Sequence, residues 1–226
     1  MKRRITFLGA GALFLTLLPP ALEAQFTNQD LQNGKKVVHS VLILPAQATA
    51  VKSGVNGDET LMEESRALEA GFTSEVASFL TGVGCNVLPS AFNDENLNQN
   101  PDRKYALADL QTRFDNVLDQ VARNPKDVRT GRFTMGDEVA NFNPGAAADA
   151  LVFVRGEETV FTFGKKILDG LSRTDDPNRV LLLRIAFVDA QSGALLYVDW
   201  AAPKIVQRRL KKSFKKFGNP NAKKQG

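Results

Sequence analysis

The sequence predicts an α/β protein whose mixed sheet of about five strands is flanked by helices. Two long segments carry apolar residues at the spacing of amphipathic helices, and short runs rich in β-branched residues alternate with them. Near the C-terminus two further apolar runs are separated by a short turn, which is the pattern of a β-hairpin. A basic amphipathic tail follows this hairpin.

The first residues have the features of a secretory signal peptide. The basic start Met1-Lys2-Arg3-Arg4 is followed by an uncharged run of apolar and small residues over 5–18 and then by the small Ala24. This order predicts cleavage between Ala24 and Gln25 and a periplasmic or secreted mature protein. The alternative is an uncleaved anchor, but the apolar run is shorter than the ~20 residues that a membrane span needs.

Composition divides the chain into four parts. Residues 1–24 are the signal, 25–35 a polar leader without periodicity, 36–203 a single α/β domain, and 204–226 a basic C-terminal helix and tail. Residues 25–203 hold 17 lysines and arginines against 24 acids, whereas the last part holds nine and no acid. An acidic body therefore precedes a basic tail.

The first half of the domain predicts two strands and one long helix. Residues 37–44 are apolar on both faces toward their end, as in a central strand, and the glycine-containing residues 46–58 are expected to be a loop. A short strand is expected at 85–89, and the Asn-rich residues 90–104 are expected to be a second loop. Between the first loop and the short strand lies the helix, whose predicted apolar stripe is Leu61, Ser65, Leu68, Phe72, Val76, Phe79 and Leu80.

The middle of the domain predicts a second long helix and a core strand. The helix spans residues 105–122, and its buried face is expected to consist of Leu107, Leu110, Phe114, Val117, Leu118 and Val121. Residues 150–155 form an apolar strand that Gly156 is expected to end, and residues 157–178 are expected to connect it to the next strand.

The clearest local pattern is the hairpin. Apolar runs at 180–189 and 194–200 are joined by four residues that end with Gly193, which can adopt a positive φ. Trp200 ends the second run. We expect it to pack in the core rather than to serve as a platform on which a ligand stacks.

Residues that commonly serve catalysis and metal binding are scarce. His39 is the only histidine and Cys85 the only cysteine, so a His/Cys metal cluster is excluded by count. His39 is interpreted as a structural residue of the first strand, and Cys85 as a buried thiol. No glycine-rich loop follows a strand to hold a phosphate. The sequence therefore assigns no catalytic residue, no metal ligand and no cofactor.

Four pairs of adjacent acids are interpreted as solvated surface, because neighbouring residues on a helix or strand point apart. These pairs are Glu63-Glu64, Asp137-Glu138, Glu157-Glu158 and Asp175-Asp176. A hydrolase that brings carboxylates together from distant parts of the chain stays open as an alternative function.

The basic tail is the most suggestive feature of the sequence. Apolar residues from Ile205 to Phe217 make an approximate helical stripe, and cations fill the other positions. Such a helix can lie on anionic lipid or another polyanion of the envelope, or it can dock on the acidic body; both alternatives are open. The candidate anionic-surface residues are Arg208, Arg209, Lys211, Lys212, Lys215 and Lys216. Nucleic acid is not expected as a partner, because no recognition motif accompanies the charge.

Several short motifs support a family resemblance. A strand that ends in Leu42-Ile43-Leu44-Pro45 leads into a long helix, Ala147-Ala148-Asp149-Ala150 opens a later strand, and Val188-Asp189-Ala190-Gln191-Ser192-Gly193 opens a hairpin that ends in Trp200. Together they resemble the periplasmic α/β domains related to the TolB amino-terminal domain and the curli-secretion lipoproteins. The resemblance implies a mixed sheet flanked by helices, and a non-enzymatic role in envelope assembly through contacts with envelope proteins. This chain lacks the lipidated cysteine of the lipoprotein members.

Overall fold

The computed structural model describes residues 24–54, 57–90, 92–161 and 179–217. Strands β1 to β8 are Ala24–Thr27, Ser40–Ile43, Gln47–Gly54, Gly57–Thr60, Asn86–Leu88, Ala150–Phe161, Arg179–Asp189 and Leu195–Ala201. Helices α1 to α6 are Gln29–Gln32, Met62–Gly82, Asp94–Gln99, Pro101–Arg123, Lys126–Arg129 and Pro203–Phe217. Two 3-10 turns, Asp137–Phe142 and Pro144–Ala146, precede β6. Among the described helices, none combines the length and the apolar character that crossing a membrane requires.

All eight described strands belong to one mixed sheet. Its main path runs β1-β8-β7-β6-β2-β5, with β3 paired to the second half of β6 and β4 paired to β3. Strand β2 is parallel to β5 and β6, whereas β6, β7, β8 and β1 are antiparallel neighbours. The predicted α/β class with a mixed, helix-flanked sheet is confirmed, and the sheet is larger than the expected five strands.

The sheet has a hydrophobic core on each face, because side chains alternate along its strands. On β6, Val152 and Val154 belong to the core beneath α2 and α6, whereas Leu151 and Phe153 belong to the core beneath α4. The Phe153 ring stacks on that of Phe114 with 4.4 Å between centroids. The helices therefore cover both faces of the sheet.

Both long amphipathic helices that the sequence predicts are present, and α4 is longer than predicted. The six predicted core residues of α4 are all buried, and Ser65, Phe72, Val76 and Leu80 are the buried residues of α2. Helix α4 begins at Pro101, before the predicted start, because the Asn100 side chain accepts a hydrogen bond from the Arg103 N–H and caps the helix. The loop predicted at 90–104 is therefore wrong over α3 and the first turn of α4.

Strand β6 continues past Gly156, so the prediction that this glycine ends the strand is wrong. A Cβ atom at Gly156 would lie 2.1 Å from Cε2 of Phe72. Glycine here allows the Phe72 ring of α2 to lie against the strand, rather than marking a turn. The first residues of the predicted connection therefore form strand, and its remainder, residues 162–178, lies outside the described residues.

The loop predicted at 46–58 is also wrong, because β3 and β4 form a hairpin there. Ala50 is the only residue of these two strands that is buried. A largely exposed hairpin of small and polar residues lacks the apolar alternation by which strands are predicted.

The polar leader predicted at 25–35 enters the fold. Strand β1 pairs with β8, and the Phe26 ring lies 5.6 Å from that of Trp200. Leu31 of α1 is almost fully buried. With only four residues on the sheet edge, β1 is too short for a period-two pattern to reveal it. Residues 1–23 of the predicted signal lie outside the described residues.

The predicted hairpin is confirmed as β7 and β8. The Asp189 carboxylate accepts hydrogen bonds from the N–H groups of Gln191 and Ser192, and Gly193 has a φ of 69°. Lys36 forms an ion pair with the same carboxylate. Trp200 is half-buried and packs on the core beside Phe26, so its ring belongs to the edge of the core.

Candidate functional site

The basic C-terminal helix is docked on the sheet. The buried residues of α6 that face the core beneath it are Ile205, Val206, Leu210 and Phe214. The Phe214 ring lies 5.4 Å from that of Phe187 on β7. Of the two alternatives for the tail, α6 therefore adopts the docked one. Residues 218–226 lie outside the described residues.

Docking turns the polar face of α6 outward. Lys204, Arg208, Lys211 and Lys212 are exposed, and the first turn of the helix carries no acid. Because the apolar stripe is already covered by the sheet, the exposed surface of this helix is cationic rather than amphipathic.

A buried polar network lies between α6 and the outer strands. Asp199 on β8 is fully buried; it accepts a hydrogen bond from the Tyr197 hydroxyl at 2.9 Å and from Nη1 of Arg209 at 3.0 Å. Burial, followed by the negative charge of Asp199, raises the pKa of Tyr197 well above its ordinary value, so this phenol stays protonated. An acid inside an apolar strand is thus neutralised by a cation from the helix.

Gln25 joins the N-terminal strand to this network. Its Nε2 amide donates to the Tyr197 hydroxyl at 3.2 Å and to the Ser213 hydroxyl oxygen at 3.0 Å. Strand β1 places Gln25 opposite Asp199, and Ser213 lies on the inner face of α6. The first strand, the last strand and the last helix therefore meet at one polar cluster.

An open cavity of about 400 Å³ lies at the surface of this cluster. Its described lining is made of three cations and two neutral polar side chains, namely Gln25, Arg208, Arg209, Lys212 and Ser213. This composition can bind an anion by charge and by hydrogen bonds, because guanidinium and ammonium groups are donors without acceptors.

The structure brings three of the six sequence-predicted residues together at the cavity. These are Arg208, Arg209 and Lys212, of which Arg209 is partly buried and is held by Asp199. Lys211 is exposed but does not line the cavity. Lys215 and Lys216 lie in the last turn of α6, and their side chains lie outside the description.

The neutral half of this site has no pattern that the sequence alone reveals. Gln25 belongs to the segment interpreted as a leader, and Ser213 is a small polar residue inside a basic run. The one available signal was Asp199, a single acid between apolar residues of a strand, since a buried carboxylate requires a partner of opposite charge.

A second concave region lies along α4 and the first 3-10 turn. This groove of about 500 Å³ is lined in part by three acids, Asp102, Asp109 and Glu138. Arg113 lies between two of them: it bonds to Asp109 at 2.8 Å and to Glu138. The hydrogen bond that Arg113 donates to Glu138 raises the pKa of Arg113, with smaller contributions from Asp109. Two of the three acids of the groove are thus paired with Arg113.

The acid pairs are mostly exposed, with one correction. Glu158 is buried and its carboxylate bonds to Arg179 at 3.2 Å, whereas Glu157 is exposed. The two residues point to opposite faces of β6, as adjacent residues on a strand do. The pair Asp175-Asp176 lies outside the described residues.

The lone cysteine and the lone histidine lie beside β2. Cys85 is a buried thiol, as predicted; burial, with a further contribution from Asp149, raises its pKa to about 11. His39 precedes β2 and its side chain is exposed, while its backbone N–H donates to the Asp149 carboxylate at 2.8 Å.

Neither a protein family nor a curated protein matches this sequence. Among solved structures, the lipoprotein GNA1162 from Neisseria meningitidis is similar to it with a TM-score of 0.34 and 14% sequence identity. The likeness covers 80% of this chain and 97% of the lipoprotein chain. The resemblance to the TolB-related domains stays a prediction.

Proposed function

We propose that this chain is an exported cell-envelope protein that acts as a non-enzymatic binding module, and that the exposed cationic face of α6 contacts an anionic component of the envelope. The observation that carries the proposal is the docked helix itself. Its apolar residues are buried in the core, whereas Arg208, Lys211 and Lys212 are exposed to solvent.

This arrangement favours electrostatic contact over insertion. Near an anionic surface each such cation contributes about 1 kcal/mol. An apolar stripe that is buried under α6 adds no insertion energy unless the helix leaves the sheet. Binding should therefore depend steeply on salt, because salt at about 1 M shortens the screening length to about 3 Å.

Flotation of the protein with vesicles tests the proposal. Protein should float with phosphatidylglycerol vesicles at low salt, and should remain unbound with phosphatidylcholine vesicles or at high salt. The variant Arg208→Glu/Lys212→Glu should lose binding. A matched double variant on other helices, Arg66→Glu/Lys104→Glu, reverses the same types of charge at exposed positions and should still float. Wild-type protein that ignores phosphatidylglycerol at low salt would refute the proposed contact.

A hydrolase is the second candidate, because three carboxylates line the groove along α4. Arg113 makes it the weaker candidate. The guanidinium forms ion pairs with Asp109 and Glu138, so two of the three carboxylates are engaged by a cation of the protein rather than placed to face a substrate bond. Hydrolysis of a glycoside or ester substrate by the wild-type protein, together with its loss in Glu138→Gln, would support this second candidate.

A further inference from the structure

We propose that the cavity between β1 and α6 is a discrete site for a phosphate group, held directly by Arg208 and Lys212. The proposal rests on the proposed function, because it assigns a ligand to the same cationic face. It adds that binding is local: two particular cations recognise the ligand, rather than the summed charge of the helix.

The spacing of the two cations supports a single shared ligand. Arg208 and Lys212 are four residues apart on α6 and both line the cavity. Side chains at this spacing lie on the same side of a helix with Cβ atoms about 5–6 Å apart. Like charges at this spacing repel and destabilise a helix, so an anion between them both binds and removes the repulsion.

The charge of the cavity fits phosphate better than it fits a neutral ligand. The described lining contains three cations and no acid, and the carboxylate of Asp199 behind it balances Arg209. The excess of about two positive charges matches a phosphate monoester, which carries about −1.5 to −2 at neutral pH. A guanidinium can also bond to two phosphate oxygens at once.

The floor of the cavity is already fixed in place. Gln25 donates to Tyr197 and to Ser213, and Arg209 donates to Asp199. A site whose supporting groups are held by one another needs little reorganisation when the ligand arrives. The volume of about 400 Å³ lies in the range of small-molecule sites, so the phosphate can carry an attached group such as glycerol.

Adjacent lysines on α6 provide a matched pair of variants. Lys212 lines the cavity, whereas its neighbour Lys211 is exposed and does not. Replacing either by alanine removes one positive charge from the same helix. A diffuse cationic surface would respond equally to both changes, whereas a discrete site responds to Lys212→Ala alone.

Calorimetric titration with glycerol 3-phosphate tests the site. We expect saturable binding by wild-type protein with a Kd of about 1 mM or tighter, unchanged within about twofold in Lys211→Ala and weakened at least about tenfold in Lys212→Ala and Arg208→Ala. Thermal melting of each variant verifies that it is folded. Absence of saturable binding by the wild type, or equal weakening in Lys211→Ala and Lys212→Ala, overturns the proposal.

A competition experiment with vesicles distinguishes a lipid headgroup from a soluble phosphate ester as the ligand. If glycerol 3-phosphate displaces the protein from phosphatidylglycerol vesicles, the site takes a lipid headgroup; if it binds without displacing the protein, the site takes a soluble phosphate ester. Both results support the site. Vesicle binding that is lost equally in the two lysine variants overturns the site and leaves the proposed function standing, whereas no vesicle binding at all refutes the proposed function.

Discussion

The guanidinium of Arg209 donates a hydrogen bond to the fully buried carboxylate of Asp199, with 3.0 Å between Nη1 and Oδ1. This contact joins the last helix to the last strand. Arg209→Ala should lower the free energy of unfolding by about 3 kcal/mol, because it removes the cation beside a buried charge. Arg209→Lys should lose less, since it keeps the charge. Chemical denaturation measures both values. A stability unchanged in Arg209→Ala would show that the pair does not hold the helix.

Leu210 tests whether the core includes α6. The side chain is 1% exposed, and replacing a buried leucine by alanine costs about 2–5 kcal/mol. Leu210→Ala should therefore melt at a clearly lower temperature than the wild type. Lys204, which is exposed on the same helix, provides the control, because Lys204→Ala should change stability by less than about 0.5 kcal/mol. Equal melting temperatures for the two variants would contradict a docked helix.

Gly156 and Phe72 should be energetically coupled. An added methyl group at Gly156 would lie 2.1 Å from the Phe72 ring, so Gly156→Ala should destabilise the protein by about 1–3 kcal/mol. Combining it with Phe72→Leu should cost less than the sum of the two single changes. Gly71→Ala is the matched control, since nothing lies within 4 Å of a Cβ there, and it should be neutral or stabilising. Additive losses in the double variant would disprove the coupling.

Asp149 should contribute to the dependence of stability on pH. Burial acts to raise the pKa of this carboxyl, but hydrogen bonds from the N–H groups of Ser40 and His39 and from the Ser40 hydroxyl outweigh it, so the pKa lies below its ordinary value. A lowered pKa in the folded state stabilises the protein above the ordinary aspartate pKa of about 4 and loses this effect as the pH falls through the folded value.

Asp149→Asn should therefore be less stable than the wild type near neutral pH, and its free energy of unfolding should fall less steeply below about pH 4. Urea titrations at a series of pH values give both curves. Burial also acts to raise the pKa of Asp189, but its bonds to Lys36 and Ser192 lower it below the ordinary value. Because Asp189 is present in both proteins, the stability of each should still depend on pH to some extent. Parallel curves for wild type and Asp149→Asn would exclude the assigned role.

The elements that the sequence predicted are those whose burial has a local pattern. The α4 stripe from Leu107 to Val121 buries residues at helical spacing, and the β7–β8 hairpin buries two nearly continuous apolar runs on either side of a turn. Strands β3 and β4 bury little besides Ala50, and β1 has only four residues. Their pairing depends on neighbouring strands that are distant in sequence, which local periodicity does not report.

The cationic half of the site was predictable and the polar half was not. A run of lysines and arginines at helical spacing is visible in the sequence, so Arg208 and Lys212 were identified as candidates. Gln25 and Ser213 lie 188 positions apart and meet only because β1 pairs with β8 beneath α6. The prediction that Gly156 ends a strand was wrong for the same reason. Glycine is needed there because of Phe72, a residue of another element.

Hydrogen exchange of the α6 amides, followed with and without phosphatidylglycerol vesicles at low salt, tests the central claim most directly. The claim is that α6 is docked and binds anions without leaving the sheet. Amides from Val206 to Phe214 should exchange slowly in the free protein, as those of a packed helix do, and should stay protected when vesicles are bound. Fast exchange of these amides in the free protein, or loss of their protection on vesicles, would contradict the claim. Either result would favour a tail that leaves the sheet and inserts its apolar stripe into the membrane.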